Sequence, residues 1–224
     1  KQVPSALEFE RILREHSRHS AIPGAWEWPS TAWFEERGID LEAARATARK
    51  ETGVPLRIPH FSDYLPYETR GSRAEADRAL QAVLTRAVRL GTAEAIFGEG
   101  EFLEPYQDTV FALCDVCSWV MIAHAGALPD PRWLEAGQLS AAPVPDLGAC
   151  RIAAALALMD RALGEKLHPA IHERVRHEVD RRVFLPLEAV QPHWIFGTHN
   201  WNGVCSGATL TAALLLDPPP MRRA

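Results

Sequence analysis

The sequence predicts an all-α protein: an α/α toroid or solenoid, built as an incomplete barrel of antiparallel helix pairs. Three observations carry that expectation. Apolar residues recur at helical spacing, as at Ile171, Val175, Val179 and Val183, with Glu, Arg, His and Asp on the other faces. Short linkers separate the predicted helices, so neighbours run antiparallel. No stretch sustains the period-two alternation of a half-buried strand.

A first helix opens at or near Ser5 and runs to about His19, with Leu7, Phe9, Ile12 and Leu13 among its apolar positions. Residues 21–33 form a Trp- and Pro-rich connector holding Trp26, Trp28 and Trp33. Asp40 is placed to cap a helix over 41–52, and Gly53 to stop it. Residues 54–67 contain three Pro and no clear period, and read as a long ordered loop. Ser72-Arg-Ala-Glu75 has the capping-box pattern for a helix to about Leu90, followed by a second helical stretch over 92–97. Helices are then expected over 104–125, 131–137, 146–164, 169–188 and 204–216. Pro131 and Pro169 fall at first helical positions, where a missing N–H costs nothing. The centre of the 146–164 helix is unbroken apolar sequence, which places Leu156, Met159 and Leu163 on an inner ring. The chain thus divides into a helical lead-in with irregular connectors, 1–102, and a toroid core, 103–224.

Composition excludes several classes. Hydrophobic residues make up 47% and charged residues 24% of 224, a globular balance with enough chain for a substantial core. Net charge is −5 with both signs mixed throughout, so no polybasic face recommends a nucleic-acid partner. The longest apolar stretches are too short, or too interrupted by Asp, Ser and His, for a membrane span. Four Cys (114, 117, 150, 205) are too few for a disulfide scaffold and read as small core hydrophobes. No metal site and no cofactor is expected: Cys114 and Cys117 lack a second ligand pair, and His168 with His172 lacks a third ligand.

The richest segment is His193-Trp194-Ile-Phe-Gly-Thr-His199-Asn200-Trp201-Asn202-Gly203-Val-Cys205. Two Trp, two His and two Asn share one turn-rich linker ahead of an apolar run. Amides and imidazoles supply hydrogen-bond forks for hydroxyls or a carboxylate, and indoles supply flat faces for pyranose rings. The bland alternative is a helix start in which Asn200 or Asn202 caps backbone N–H groups while the Trp residues fill core. Cap and core would account for one Asn and both Trp, but not for the whole His199-Asn200-Trp201-Asn202 run.

Other candidates are weaker. Asp108 and Asp115, with Glu104, could imitate the paired carboxylates of an inverting (α/α) glycosidase, though their spacing also suits a solvated helix face. Trp119 and His124 either line a central cleft or pack in the core. Trp26, Trp28 and Trp33 suit a connector packing on the barrel better than a sugar platform.

From Leu103 to Leu216 the chain resembles the helical domain of the heparinase II/III-like polysaccharide lyases, including the related alginate and oligoalginate lyases. The residues that carry the resemblance are Phe111-Ala-Leu-Cys-Asp115-Val-Cys-Ser-Trp119-Val-Met-Ile-Ala-His124, Asp146-Leu-Gly-Ala-Cys150, the helix ending Arg182-Val-Phe-Leu-Pro186, and the run from His193 to Cys205. The Asn-Trp-Asn-x-Val-Cys piece is the most specific of them.

The resemblance implies β-elimination on a uronate-containing polysaccharide. Asn200 would neutralise the uronate carboxylate, with His199 or His193 second, and Trp201, Asn202, His193, Trp194, Trp119, His124 and Asp115 would bind substrate. The expected partner is an acidic polysaccharide or oligosaccharide, and the implied location is the periplasm or outside, with cytoplasm as the alternative. The family's proton-transferring Tyr follows the motif, whereas Tyr64, Tyr67 and Tyr106 all precede it here. Asp115-Val116-Cys117 stands where relatives commonly have two acidic residues and a Thr, and Ile122 replaces a Pro. The chain is therefore expected to be a piece of a longer lyase or a member lacking its base. A non-catalytic carbohydrate-binding toroid and a hydrolase with paired carboxylates are the alternatives. A toroid cut short should expose apolar surface near 204–216, and self-association or a partner chain is expected there.

Overall fold

The computed structural model describes residues 28–125 and 144–216, and every regular element among them is helical. In order these are α1 (Thr31–Glu35), α2 (Leu41–Thr52), α3 (Phe61–Arg70), α4 (Ala74–Phe97), α5 (Leu103–Asp115), α6 (Ile122–Ala125), α7 (Leu147–Leu163), α8 (Pro169–Val179), α9 (Leu185–Ala189) and α10 (Asn200–Leu215). A 3₁₀ turn at Gly164–Lys166 links α7 to α8, and a π-helical stretch at Asp180–Phe184 links α8 to α9. The helices expected over 5–19 and 131–137 lie outside the described residues, as does most of the connector from 21.

The apolar α7 is the hub. It packs most extensively on α10, and also on α4 and α8. Its Ala153, Leu156, Ala157, Met159 and Leu163 are all buried in one core with Val83, Leu90, Val110, Leu113, Val175 and Val179. Removing such side chains from water is the main stabilising term, about 1.5–3 kcal/mol for each large aliphatic residue. At Gly91 the helices come so close that an added Cβ would lie 2.8 Å from both Met159 Sδ and Tyr106 Cε2.

Local signals act at several ends, as expected at Asp40 and Pro169. Asp40 accepts from the Ala43 N–H at 2.9 Å and caps α2, and Asp146 does the same for α7 through Ala149. Pro169 opens α8. Between α4 and α5 the buried Glu94 accepts from the N–H groups of Gly100 and Phe102, which fixes the connecting turn.

Four expectations need correction. Residues 61–70 are helix, not loop: Asp63 accepts from the His60 N–H at 2.7 Å, and α3 tolerates the hydrogen bond lost at Pro66. α4 runs unbroken from 74 to 97, because Gly91 serves close packing and does not end the helix. Trp33 lies in a short helix, edge to face with Phe34 and with the Arg37 guanidinium over its ring. The expected 104–125 helix breaks after Asp115. There Arg182 donates to the carbonyls of Cys114 and Val116, and Trp119 folds back to donate to the Leu113 carbonyl at 2.9 Å.

Arg182 is itself held by the buried Glu178. Burial pushes the Glu178 carboxyl up, but its bonds to Arg182 and Arg181 outweigh that and leave it below its ordinary range. On α10, Val204, Leu210 and Leu214 are exposed, and Phe196 ahead of the helix is exposed as well.

Candidate functional site

The helix α10 begins at Asn200, four residues earlier than the sequence reading, so the motif is partly turn and partly first helical turn. His199 occupies the cap position with extended backbone, yet its side chain bonds no backbone N–H. Nor is Asn200 a cap: it is the first helical residue and is exposed. No side chain caps the head of this 16-residue helix, which carries partial positive charge beside the exposed Asn200 side chain. Such a terminus favours a carboxylate, sulfate or phosphate.

Trp201 gathers the imidazoles. Its indole ring lies 4.6 Å from the His124 ring, 5.5 Å from His193 and 6.3 Å from His199, and the last two are 5.9 Å apart. Three chain segments thus meet at one half-buried indole. His193 and His199 are exposed, and His124 keeps about a quarter of its side chain open. The placement of His199 depends on Gly197, where any Cβ would fall 2.6 Å from His199 Nε2.

Behind the indole stands Asp146, which is not among the candidate site residues of the sequence. The buried Asp146 takes the N–H groups of Ala149 and Met121, at 2.9 and 3.0 Å, and meets His124 Nδ1 at 2.6 Å. Its position before an apolar helix announces the cap, but nothing in the spacing announces the imidazole. Asp77 of α4 faces the same region, and burial pushes its carboxyl above the ordinary range while the charge of Asp146 adds to the effect. A cleft of about 290 Å³ runs alongside, lined by Asp77, Arg78, Gln81, Met121 and Arg151 among others.

Several expected substrate-binding residues serve other roles. Trp194 is 2% exposed, donates from Nε1 to the Pro145 carbonyl at 2.9 Å, and packs with Cys150 and Cys205. Trp119 is 1% exposed under Arg182, 4.9 Å from the guanidinium. Neither indole face can stack on a sugar. Asn202 spends its amide N–H donors on the carbonyls of Trp194 and Ile195, so it staples the turn to the helix. Asp115 is exposed and paired with Arg174 at 2.5 Å.

The remaining candidates also have local partners. His168 accepts from the Ala170 N–H at the start of α8, and His172 contacts Asp160 and the Gly164 carbonyl. Among the described residues no group of three or more His, Cys, Asp or Glu could hold a metal ion. No described helix is long and apolar enough to cross a membrane.

The molecule is thus helical in all its described elements, with three imidazoles gathered around Trp201 at one helix head. No protein-family model matches the chain, and no curated protein matches it.

Proposed function

We propose that the chain forms part of an α/α toroid that binds a uronate-containing polysaccharide and acts on it by β-elimination, in the manner of the heparinase II/III-like lyases. The observation that carries this reading is the joint exposure of Asn200, His193 and His199 around Trp201, at a head of α10 that no side chain caps. A uronate presents its carboxylate next to the carbon that loses a proton. Uncharged donors that offset the carboxylate charge make that proton more acidic, and they act most strongly where charge builds up in the transition state. Asn200 and the helix head are donors of that kind. Trp201 supplies an apolar edge for the pyranose ring beside them.

The hydrolase alternative draws less support, because Asp115 is tied to Arg174 on the surface and Asp108 and Glu104 are solvated. The test is to incubate the chain with a panel of uronate polymers and follow ultraviolet absorbance. Elimination leaves a C4–C5 double bond that absorbs. New reducing ends without absorbance would point to hydrolysis, and oligosaccharide binding with neither signal would point to a binding domain. Either result would overturn the lyase reading.

A further inference from the structure

We propose that His124 is the proton-transfer group of this site, with Asp146 as the residue that positions it. The inference rests on the lyase reading above and supplies the base that the resemblance leaves without a counterpart.

The geometry begins at Asp146. Backbone N–H groups hold each carboxylate oxygen, Ala149 on Oδ1 and Met121 on Oδ2, so the carboxylate has a fixed direction. His124 Nδ1 completes the set at 2.6 Å. A carboxylate only accepts, so the hydrogen-bond network assigns the ring proton to Nδ1. Nε2 of the neutral ring is then left as a lone pair. An imidazole oriented from behind by a buried carboxylate is the arrangement that makes histidine an effective base. Asp146 is almost fully buried while the imidazole is about a quarter open, so the pair is anchored on one side and reachable on the other. Trp201 packs against the ring and ties it to the head of α10.

Tyr64 and Tyr106 do not compete for this role. Tyr106 is fully enclosed in the core, and Tyr64 is buried and accepts from the Cys117 thiol; burial pushes both phenols up, away from the phenolate. The charged groups that sense the dyad include Asp77 of α4, whose ionisation responds to both His124 and Asp146.

The step balances with one imidazole. Nε2 takes the C5 proton, and the C–H electron pair becomes the C4–C5 double bond. The C4–O4 bond breaks with its pair on oxygen, and O4 takes the proton back from Nε2. The products are an unsaturated uronate and a free hydroxyl end. Asn200 and the helix head carry the carboxylate charge throughout.

The experiment uses the chain with whichever uronate polymer the wild type cleaves to an absorbing product. His124→Ala should lower kcat about 10²–10⁴-fold, the range for losing a general acid–base group. KM should stay within about threefold. Imidazole added to the buffer should restore part of the rate, a response that a purely structural histidine would not give. Asp146→Asn keeps a capping oxygen for α7 and should lower kcat with little change in KM. If His124→Ala does not fold, His124→Gln, whose amide still donates to Asp146, takes its place. Near-wild-type turnover in a folded His124 variant, or a loss confined to KM, overturns the assignment. Absence of unsaturated product from the wild type on every polymer overturns the lyase reading, and this inference with it.

Discussion

His124 and Trp201 meet edge to face, their ring centroids 4.6 Å apart and their planes inclined by 65°. One ring follows the break after α5 and the other stands in the first turn of α10, so two distant segments share one wall. The wall is maintained from behind on both sides. Asp146 holds the imidazole, and the buried group of Cys150, Trp194 and Cys205 supports the indole. The neighbouring Cys150 and Cys205 thiols act on each other, drawing Cys205 below its ordinary range and, with burial, pushing Cys150 above it.

The tight crossing at Gly91 gives a prediction about the core. Alanine should gain about 1 kcal/mol over glycine inside a helix. Its methyl, however, would sit 2.8 Å from Met159 Sδ and from the Tyr106 ring. Met159 can adjust, but the fully buried Tyr106 ring cannot. Overpacking of this kind costs about 1–3 kcal/mol, so Gly91→Ala should lower the thermal midpoint despite the better helix former. A raised midpoint in calorimetry would show that α4 has room to move away.

The acid limb of stability should depend on Glu101. Hydrogen bonds from Arg49 and then Arg45 hold its carboxyl down to about 2, from an ordinary 4.5. A depressed carboxylate stabilises the fold above its unfolded-state value, and that stabilisation is lost as pH falls from about 4.5 to about 2. Glu101→Gln should therefore be less stable than wild type at neutral pH and converge with it towards pH 2. The group is only half-buried, so added salt should shrink the difference. Unfolding midpoints of both proteins across that window provide the check; a constant gap would rule out this ion pair as the cause.

The helical class was legible because periodicity and end signals are local: Asp40 and Pro169 mark helix starts through their own backbone chemistry. The helix at 61–70 was hidden because Pro66 interrupts the pattern that announces it. The break after Asp115 was hidden for a different reason. It depends on Arg182 reaching back to the carbonyls of Cys114 and Val116, a contact between distant segments with no local signature. The site shows the same division. The residues of the motif share one turn, but they sort by burial, which composition does not reveal. Trp194 and Trp201 look alike in sequence; one is core and the other borders solvent.

Asn202 tests the structural half of that motif. Its amide donates to the carbonyls of Trp194 and Ile195, and it is half-buried. Asn202→Ala leaves both acceptors without this donor, which should cost about 1–3 kcal/mol. The turn should loosen with it, so limited proteolysis should cut within 195–199 faster than in wild type. An unchanged midpoint and unchanged cleavage would show that the turn holds itself.

Asn200 should behave in the opposite way, although it lies only two residues from Asn202. It is exposed at the first helical position and caps nothing, so Asn200→Ala should shift stability by no more than about 0.5 kcal/mol, as at an ordinary surface site. Under the lyase reading the same change removes a donor whose bond strengthens as charge moves onto the uronate carboxylate. Turnover should then fall about 10²–10³-fold. KM should change less than kcat, because the lost interaction belongs mainly to the transition state. Asn200→Asp is the sharper variant. It keeps the size and, being acidic, suits a helix N-terminus, so folding should be preserved or improved. It also sets a negative charge against the substrate carboxylate, so activity should fall at least as far as in the alanine variant. A stable Asn200→Asp protein with wild-type turnover would remove Asn200 from the chemistry.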